Sequence, residues 1–330
     1  MPIVLNRGPV NRLLTIWFGV CLAATGLLAG DQKKGPGDIG KSDPGKGVNF
    51  YSVEKEIALG RQMAQEVERQ GKIVDDPIVA EYVNRLGQNL ARNSDTKVPF
   101  TVKAIDSDEV NAFALPGGFM FVNTGLILSA GNEAELAGVM AHEVAHVAAR
   151  HGTKQATRGQ LANIASVPLI FLGGWVGYGI RQAAGLAMPM GFLKFSRGME
   201  QEADRLGLDY MYKAGYDPTA FIDFFERIQA LEKKRPGTVA KLFSSHPPTN
   251  DRIQRAQEQI QEELKPVPEY VVDTSEFREV RDRLALLERR RKIGHEDDNR
   301  PTLRRRTSDR IDQESGKSDD DEPPTLKRGG

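Results

Sequence analysis

The chain has 330 residues, 45 basic and 45 acidic side chains, a formal net charge of zero and one cysteine. Zero net charge argues against a nucleic-acid binder, because phosphate binding needs a basic surplus. One cysteine excludes an intramolecular disulfide framework and every cysteine-rich zinc module, so any metal site must be built from histidines and carboxylates.

Residues 1–30 hold no acidic side chain, two arginines (Arg7 and Arg12) and an apolar run from Leu13 to Ala29. That order describes a signal peptide or an uncleaved N-terminal anchor, and predicts an exported chain, periplasmic or membrane-associated on the extracytoplasmic side. Residues 31–48, rich in Gly, Pro, Lys and Asp, read as a flexible linker that cannot bury a core. Tyr51–Gln70 reads as a helix striped by Ile57, Leu59, Met63, Ala64 and Val67, and Pro77–Arg92 as a second one. Val98–Ile105 alternates as a half-buried strand does. Asn111–Leu115 and Phe119–Asn123 flank Pro116-Gly117-Gly118 as a hairpin or bent edge strand. Glu133–His151 is helical by pattern, with His151 expected to cap its end.

The segment 164–193 is apolar and glycine-rich, and reads as a buried or flap-like hairpin, with membrane insertion as the alternative. Helices follow at Met199–Ala214, Phe221–Glu232, Thr249–Leu264 and Ser275–Ile293. The last stretch alternates runs such as Arg304–Arg306 and Asp319–Glu322, the composition of a solvated, disordered tail. The fold expected is helix-rich α+β with one small sheet. Its organisation is a catalytic domain over 49–265, a helical extension over 266–293 and a charged tail over 294–330.

His142-Glu143-Val144-Ala145-His146 is an HExxH arrangement on a predicted helix. Residues four apart stand about 40° apart around a helix, so both imidazoles face one point. Glu143 is offset by one residue and can reach a water held there. Leu136, Val139, Met140 and Val147 make this helix largely buried, where an unpaired His-Glu-His set would be costly. One zinc ion per chain would remove that cost.

A catalytic zinc needs a third protein ligand and an open position. His151 is one residue too early for an HExxHxxGxxH pattern, and Ala149 stands where that pattern has glycine. From Val144 to Met199 there is no Asp or Glu at all. The first carboxylates after the gap are Glu200, Glu202 and Asp204, on one predicted helix. Glu200 and Asp204 share a face bordering the stripe Met199, Ala203, Leu206, Tyr210, whereas Glu202, Arg205 and Asp209 lie on what reads as the solvated face. Glu200 is therefore the expected third ligand, and Asp204 the group that orients a ligand imidazole.

These blocks together resemble metallopeptidase family 48, the family of the CAAX prenyl proteases. The resemblance covers roughly Val48 to Leu264. It rests on Asn111-Ala-Phe-Ala-Leu-Pro-Gly-Gly118, on HExxH, on Ser196-Arg-Gly-Met-Glu-Gln-Glu-Ala-Asp204, and on Ser245-His246-Pro247-Pro248 followed by Arg252. It implies a zincin-like (gluzincin) domain and a zinc endopeptidase. It also implies that His246 lies beside the zinc, filling the open position at rest or stabilising the oxyanion, with Arg252 as a supporting cation. Glu143 would act as the general base toward water. Asn111, Ala112, Phe113 and Ala114, on an edge strand, would bind a polypeptide substrate by strand addition, which reads backbone and suits unfolded or misassembled chains in envelope quality control. The alternatives are a proteolytically silent or autoinhibited scaffold of the same fold, and a membrane-bound protease. Membrane association is open through the N-terminus or 164–193, and oligomeric state is not readable.

Overall fold

The computed structural model describes residues 37, 39–41, 43–170, 195–234, 246 and 249–298, with no side-chain account of 162–170 or 290–298. The expected leading segment 1–30, the start of the 31–48 linker, the 171–193 part of the expected hairpin and the 299–330 part of the tail lie outside the described residues. The chain divides into two compact units, Met1–Leu286 and Leu287–Gly330. All that follows concerns the first, apart from the end of the last helix, which lies in the second.

Among the described residues of Met1–Leu286, two capped helices come first. Helix α1 (Val53–Gln70) starts where the Ser52 side chain accepts the Lys55 N–H, and α2 (Pro77–Arg92) where Asp76 accepts from Ile78 and Val79. Pro77 at the first turn of α2 lacks only an N–H that would have no helical partner there. Val79, Val83, Leu86 and Leu90 then line one buried face of α2.

Among the described residues the sheet has three strands, β1 (Thr101–Ile105), β2 (Ala112–Leu115) and β3 (Phe119–Asn123), in the order β1-β3-β2. β2 and β3 form the expected hairpin, pairing Ala112 with Val122 and Leu115 with Phe119. The parallel pairing of β1 with β3, Thr101 against Phe119, is a tertiary result that alternation alone does not announce. Gly117 and Gly118 turn the hairpin with φ of 79° and 90°. A Cβ on Gly118 would sit 2.1 Å from the Pro99 carbonyl oxygen, so glycine is needed there for space as well as for conformation.

A short helix α3 (Thr124–Ser129), too brief for a periodic signal, leads to α4 (Glu133–Ala148). Asn132 caps α4 by accepting the Glu135 N–H, and every residue of this helix is buried. The sequence pattern runs on to His151, but the helix stops earlier. Arg150 adopts φ 56°, and a new helix, α5 (His151–Ile170), begins at once. The left-handed turn is held by Arg150 itself, whose Nε donates to Glu56 Oε2 (2.7 Å) and whose Nη2 donates to the Tyr51 carbonyl (2.6 Å). His151 is thus a helix start and not a cap on α4, and 164–170 is helical backbone.

Helix α6 (Arg197–Lys213) packs along α4, followed by α7 (Thr219–Lys234), α8 (Asn250–Glu262) and α9 (Ser275–Asp298). The close approach of α6 to α4 depends on Gly207, where an added Cβ would meet His142 N and Cα at 3.1 Å. Phe221, Phe224 and Ile228 of α7 and Phe277, Val280 and Leu284 of α9 complete the core around α4. The architecture is helix-rich α+β with a small mixed sheet. One expected surface position is corrected: Asp209 is 2% exposed, and its carboxylate accepts from Gln259 Nε2 at 2.9 Å. Helix α8 covers Asp209 on the α6 face that periodicity assigned to solvent, while Glu202 on that face stays half-exposed. Among the described residues no helix is long and apolar enough to cross a membrane.

Candidate metal centre

The fully buried α4 carries His142, Glu143 and His146 into the core at 5%, 2% and 3% exposure. Their four-residue spacing brings the Nε2 atoms of the two histidines to 3.0 Å from one another. Glu200 enters from the first turn of α6, where the helix N-terminus favours a carboxylate. Its oxygens lie 3.6 Å from His142 Nε2 and 3.4 Å from His146 Nε2. His246 adds a third imidazole, with Nδ1 3.2 Å from His142 Nε2 and 3.0 Å from Glu200 Oε2. One donor atom from each of His142, His146, Glu200 and His246 falls within 4.8 Å of the others, the one such group among the described residues.

Three imidazole nitrogens and a carboxylate aimed at one buried point are costly without a partner at that point. Nitrogen and oxygen donors of this kind suit a divalent transition metal, so the residues present fit a bound ion.

The surroundings aim these donors. Asp204, one turn after Glu200, has Oδ1 3.0 Å from His142 Nδ1. Arg252, near the start of α8, donates from Nε to Asp204 Oδ2 and from Nη2 to Oδ1, both at 2.6 Å, and its Nη1 lies 3.4 Å from Glu200 Oε2. The guanidinium also lies over the Phe225 ring at 5.0 Å.

Burial pushes the Glu200 carboxyl up, but hydrogen bonds from His142, His146 and His246 outweigh it and hold the group far below the carboxylate range. Burial likewise opposes the charged form of His142, yet Asp204 and Glu200 lift it to about 9. His146 goes the other way, because burial dominates and keeps it neutral. The Glu143 carboxyl is raised by burial, against the pull of His246 and His142.

Glu143 accepts the Ala114 N–H at Oε2 (3.0 Å), and its Oε1 lies 3.4 Å from His246 Nε2. Ala114 belongs to β2, an outer strand of the sheet among the described residues, so the edge formed by Ala112 and Ala114 runs beside the Glu143 carboxylate. Phe113 points to the other side and stacks on Phe121 at 5.4 Å. Asn111, just before the strand, is buried and pairs through its carbonyl with the Asn123 N–H at 3.0 Å.

All eleven residues singled out in the sequence therefore gather around the α4 histidines or along the adjoining strand. Three others join them: His151, expected only as a helix cap, Glu202, expected on the solvated face, and Phe195, not singled out at all. His151 Nδ1 lies 2.9 Å from His146 Nδ1, and Glu202 Oε2 lies 3.1 Å from His151 Nε2. Phe195 stacks on the His146 ring with centroids 4.0 Å apart. Nothing periodic marks His151 or Glu202, because the turn at Arg150 creates their neighbourhood.

Comparison with known proteins places the sequence among peptidases. The model for peptidase family M48 matches residues 77–260. A putative beta-barrel assembly-enhancing protease of Vibrio cholerae is 34% identical over 215 residues, covering 63% of this chain and 44% of its own length. The beta-barrel assembly-enhancing protease of Escherichia coli is 30% identical over 239 residues, covering 68% of this chain and 47% of its own. The mitochondrial metalloendopeptidase OMA1 of Schizosaccharomyces pombe is 32% identical over 185 residues, with 55% and 53% covered. The chain spans about half the length of these curated relatives. With the matched region containing α4, α6 and most of α8, the chain belongs to peptidase family M48, the metallopeptidases.

Proposed function

We propose that this chain is a zinc-dependent endopeptidase, with His142, His146 and Glu200 as the zinc ligands and a catalytic domain over residues 49–265. The observation that carries the reading is the buried convergence of those three side chains with His246 within 4.8 Å of one another. When bound, the ion supplies Lewis acidity toward a water and a peptide carbonyl. Glu143, raised by burial, takes the water's proton at its carboxylate and returns it to the departing amine. The Asp204–Arg252 pair keeps His142 oriented with its Nε2 free for the metal. The outer edge of β2, at Ala112 and at the Ala114 carbonyl, offers backbone groups to an extended substrate, which favours unfolded or misassembled polypeptides over one fixed sequence.

The relatives named for β-barrel assembly support a role in envelope protein quality control. The apolar leading segment supports export, to the periplasm or a membrane-associated extracytoplasmic site. A resting, autoinhibited state is the second reading, favoured by His246 Nδ1 lying among the ligand atoms, where it closes the position a substrate needs.

The test pairs zinc content by elemental analysis with casein degradation, for wild type and Glu143→Gln. One zinc per chain in both proteins is expected, with proteolysis at least ~100-fold lower in the variant. A Glu143→Gln protein that degrades casein as fast as wild type ends the proposed mechanism, and a wild type without stoichiometric zinc ends the cofactor assignment.

A further inference from the structure

His151 sits 1% exposed at the first position of α5, between a metal-site histidine and a half-exposed carboxylate. Its Nδ1 is 2.9 Å from His146 Nδ1, and its Nε2 is 3.1 Å from Glu202 Oε2. Resting on the zinc reading above, we propose that His151 and Glu202 are positioning residues that lock His146 in the tautomer able to bind metal.

The protons can be assigned from the partners. His146 directs Nε2 toward His142 Nε2 and Glu200 Oε1, so Nε2 is the metal-facing atom and must be bare. A neutral imidazole then carries its proton on Nδ1, and that N–H points at His151 Nδ1. His151 Nδ1 must accept, which puts the His151 proton on Nε2, facing Glu202 Oε2. Glu202 can only accept. Each donor in the row meets one acceptor, and reversing any single proton sets two N–H groups or two lone pairs against one another.

The two ligand histidines are therefore held differently. His142 is backed directly by Asp204, clamped by Arg252. His146 is backed through a second imidazole, which reaches a carboxylate on the same helix as Glu200. Phe195, stacked on His146 and tilted against His151 at 5.9 Å, limits rotation of both rings. Placement depends on the turn: only because Arg150 reverses the chain at φ 56° does the start of α5 fold back onto His146.

The readout is zinc release from the loaded full-length protein to an excess of chelator, beside unfolding temperatures of the metal-free proteins. His151→Phe keeps a ring of similar size without nitrogens and should speed zinc release about 10–100-fold. His151→Asn, whose Oδ1 accepts where Nδ1 did, should stay within about 3-fold of wild type, scaling with the retained acceptor. Glu202→Ala, at a side chain 46% exposed that carries little packing, should fall between them. Nitrogen-15 spectra of the histidine rings in the loaded protein should show His146 protonated at Nδ1. Zinc release from both His151→Phe and Glu202→Ala at the wild-type rate would overturn the inference, as would a His146 ring protonated at Nε2. If His151→Phe does not fold, Glu202→Ala and the spectra decide alone. A wild type that binds no zinc would instead fail the function proposed above.

Discussion

Both oxygens of Asp204 are held by Arg252 at 2.6 Å, and one of them also faces His142 Nδ1 at 3.0 Å. A single carboxylate thus joins α6, α8 and α4 at the metal-site wall. Burial raises the Asp204 carboxyl, but His142 and Arg252 overcome it and keep the group ionised. Arg252→Met keeps contact with the Phe225 ring while leaving Asp204 buried without its cation. The expected loss is about 3–5 kcal/mol in urea unfolding, with weaker zinc retention. Arg252→Lys recovers the charge but not the two-pronged geometry, and should recover only part of the loss. An unchanged unfolding midpoint in Arg252→Met would show that the pair does not hold these helices together.

His246 is expected to act as a plug on the fourth position. His246→Ala should increase casein cleavage at rest several-fold and leave zinc bound, because the three proposed ligands remain. A variant with lower turnover and unaltered zinc content would assign His246 to the oxyanion instead. Unchanged activity would remove it from both roles.

Two glycines of α6 give opposite predictions for the same substitution. At Gly207 an added Cβ meets His142 N and Cα at 3.1 Å, and at Gly198 it meets nothing within 4 Å. Gly207→Ala should destabilise by about 1–3 kcal/mol through overpacking and loosen zinc, since it pushes Glu200 and Asp204 away from His142. Gly198→Ala should stabilise by up to ~1 kcal/mol, from helix propensity alone. Thermal unfolding of the two variants checks both; equal effects would mean that α4 and α6 have room to separate.

Asp209 sets a pH dependence away from the candidate metal centre. Burial raises its carboxyl to about 7, despite Arg205 and the Gln259 hydrogen bond, and Glu263 and Asp95 add to the rise. The folded chain therefore holds a proton on Asp209 that the unfolded chain has released above about pH 4. Stability from this group is full below that point and is lost as the pH climbs to about 7. Asp209→Asn, the same shape without the charge, should raise the unfolding temperature at pH 8 and change it little at pH 4. Equal shifts at both values would mean that Asp209 ionises freely in the fold.

Much of the site was legible without coordinates. The HExxH spacing places two imidazoles on one helix face, and the absence of any carboxylate from Val144 to Met199 points past the gap to Glu200. The Pro-Gly-Gly bend announced the hairpin, since few residues besides glycine adopt its backbone angles. What escaped were facts about neighbours. Asp209 looks solvated from the periodicity of α6, until α8 supplies Gln259 and covers it. His151 looks like a helix cap from the unbroken apolar pattern around Val147, until Arg150, tied to Glu56 and Tyr51, turns the chain.

The single cysteine left histidines and carboxylates as the candidates for a metal site, and helical periodicity alone determined that His142 and His146 face one point. Those are properties of a chain relative to its own axis, and sequence encodes them directly. Only the tertiary structure decided what shares that point. The glycine at position 207 lets α6 approach until Glu200 and Asp204 reach His142, and His246 arrives from about a hundred residues further along the chain. Such convergence depends on how closely helices pack, which is set by side-chain volumes on both sides of an interface and cannot be read from either side by itself.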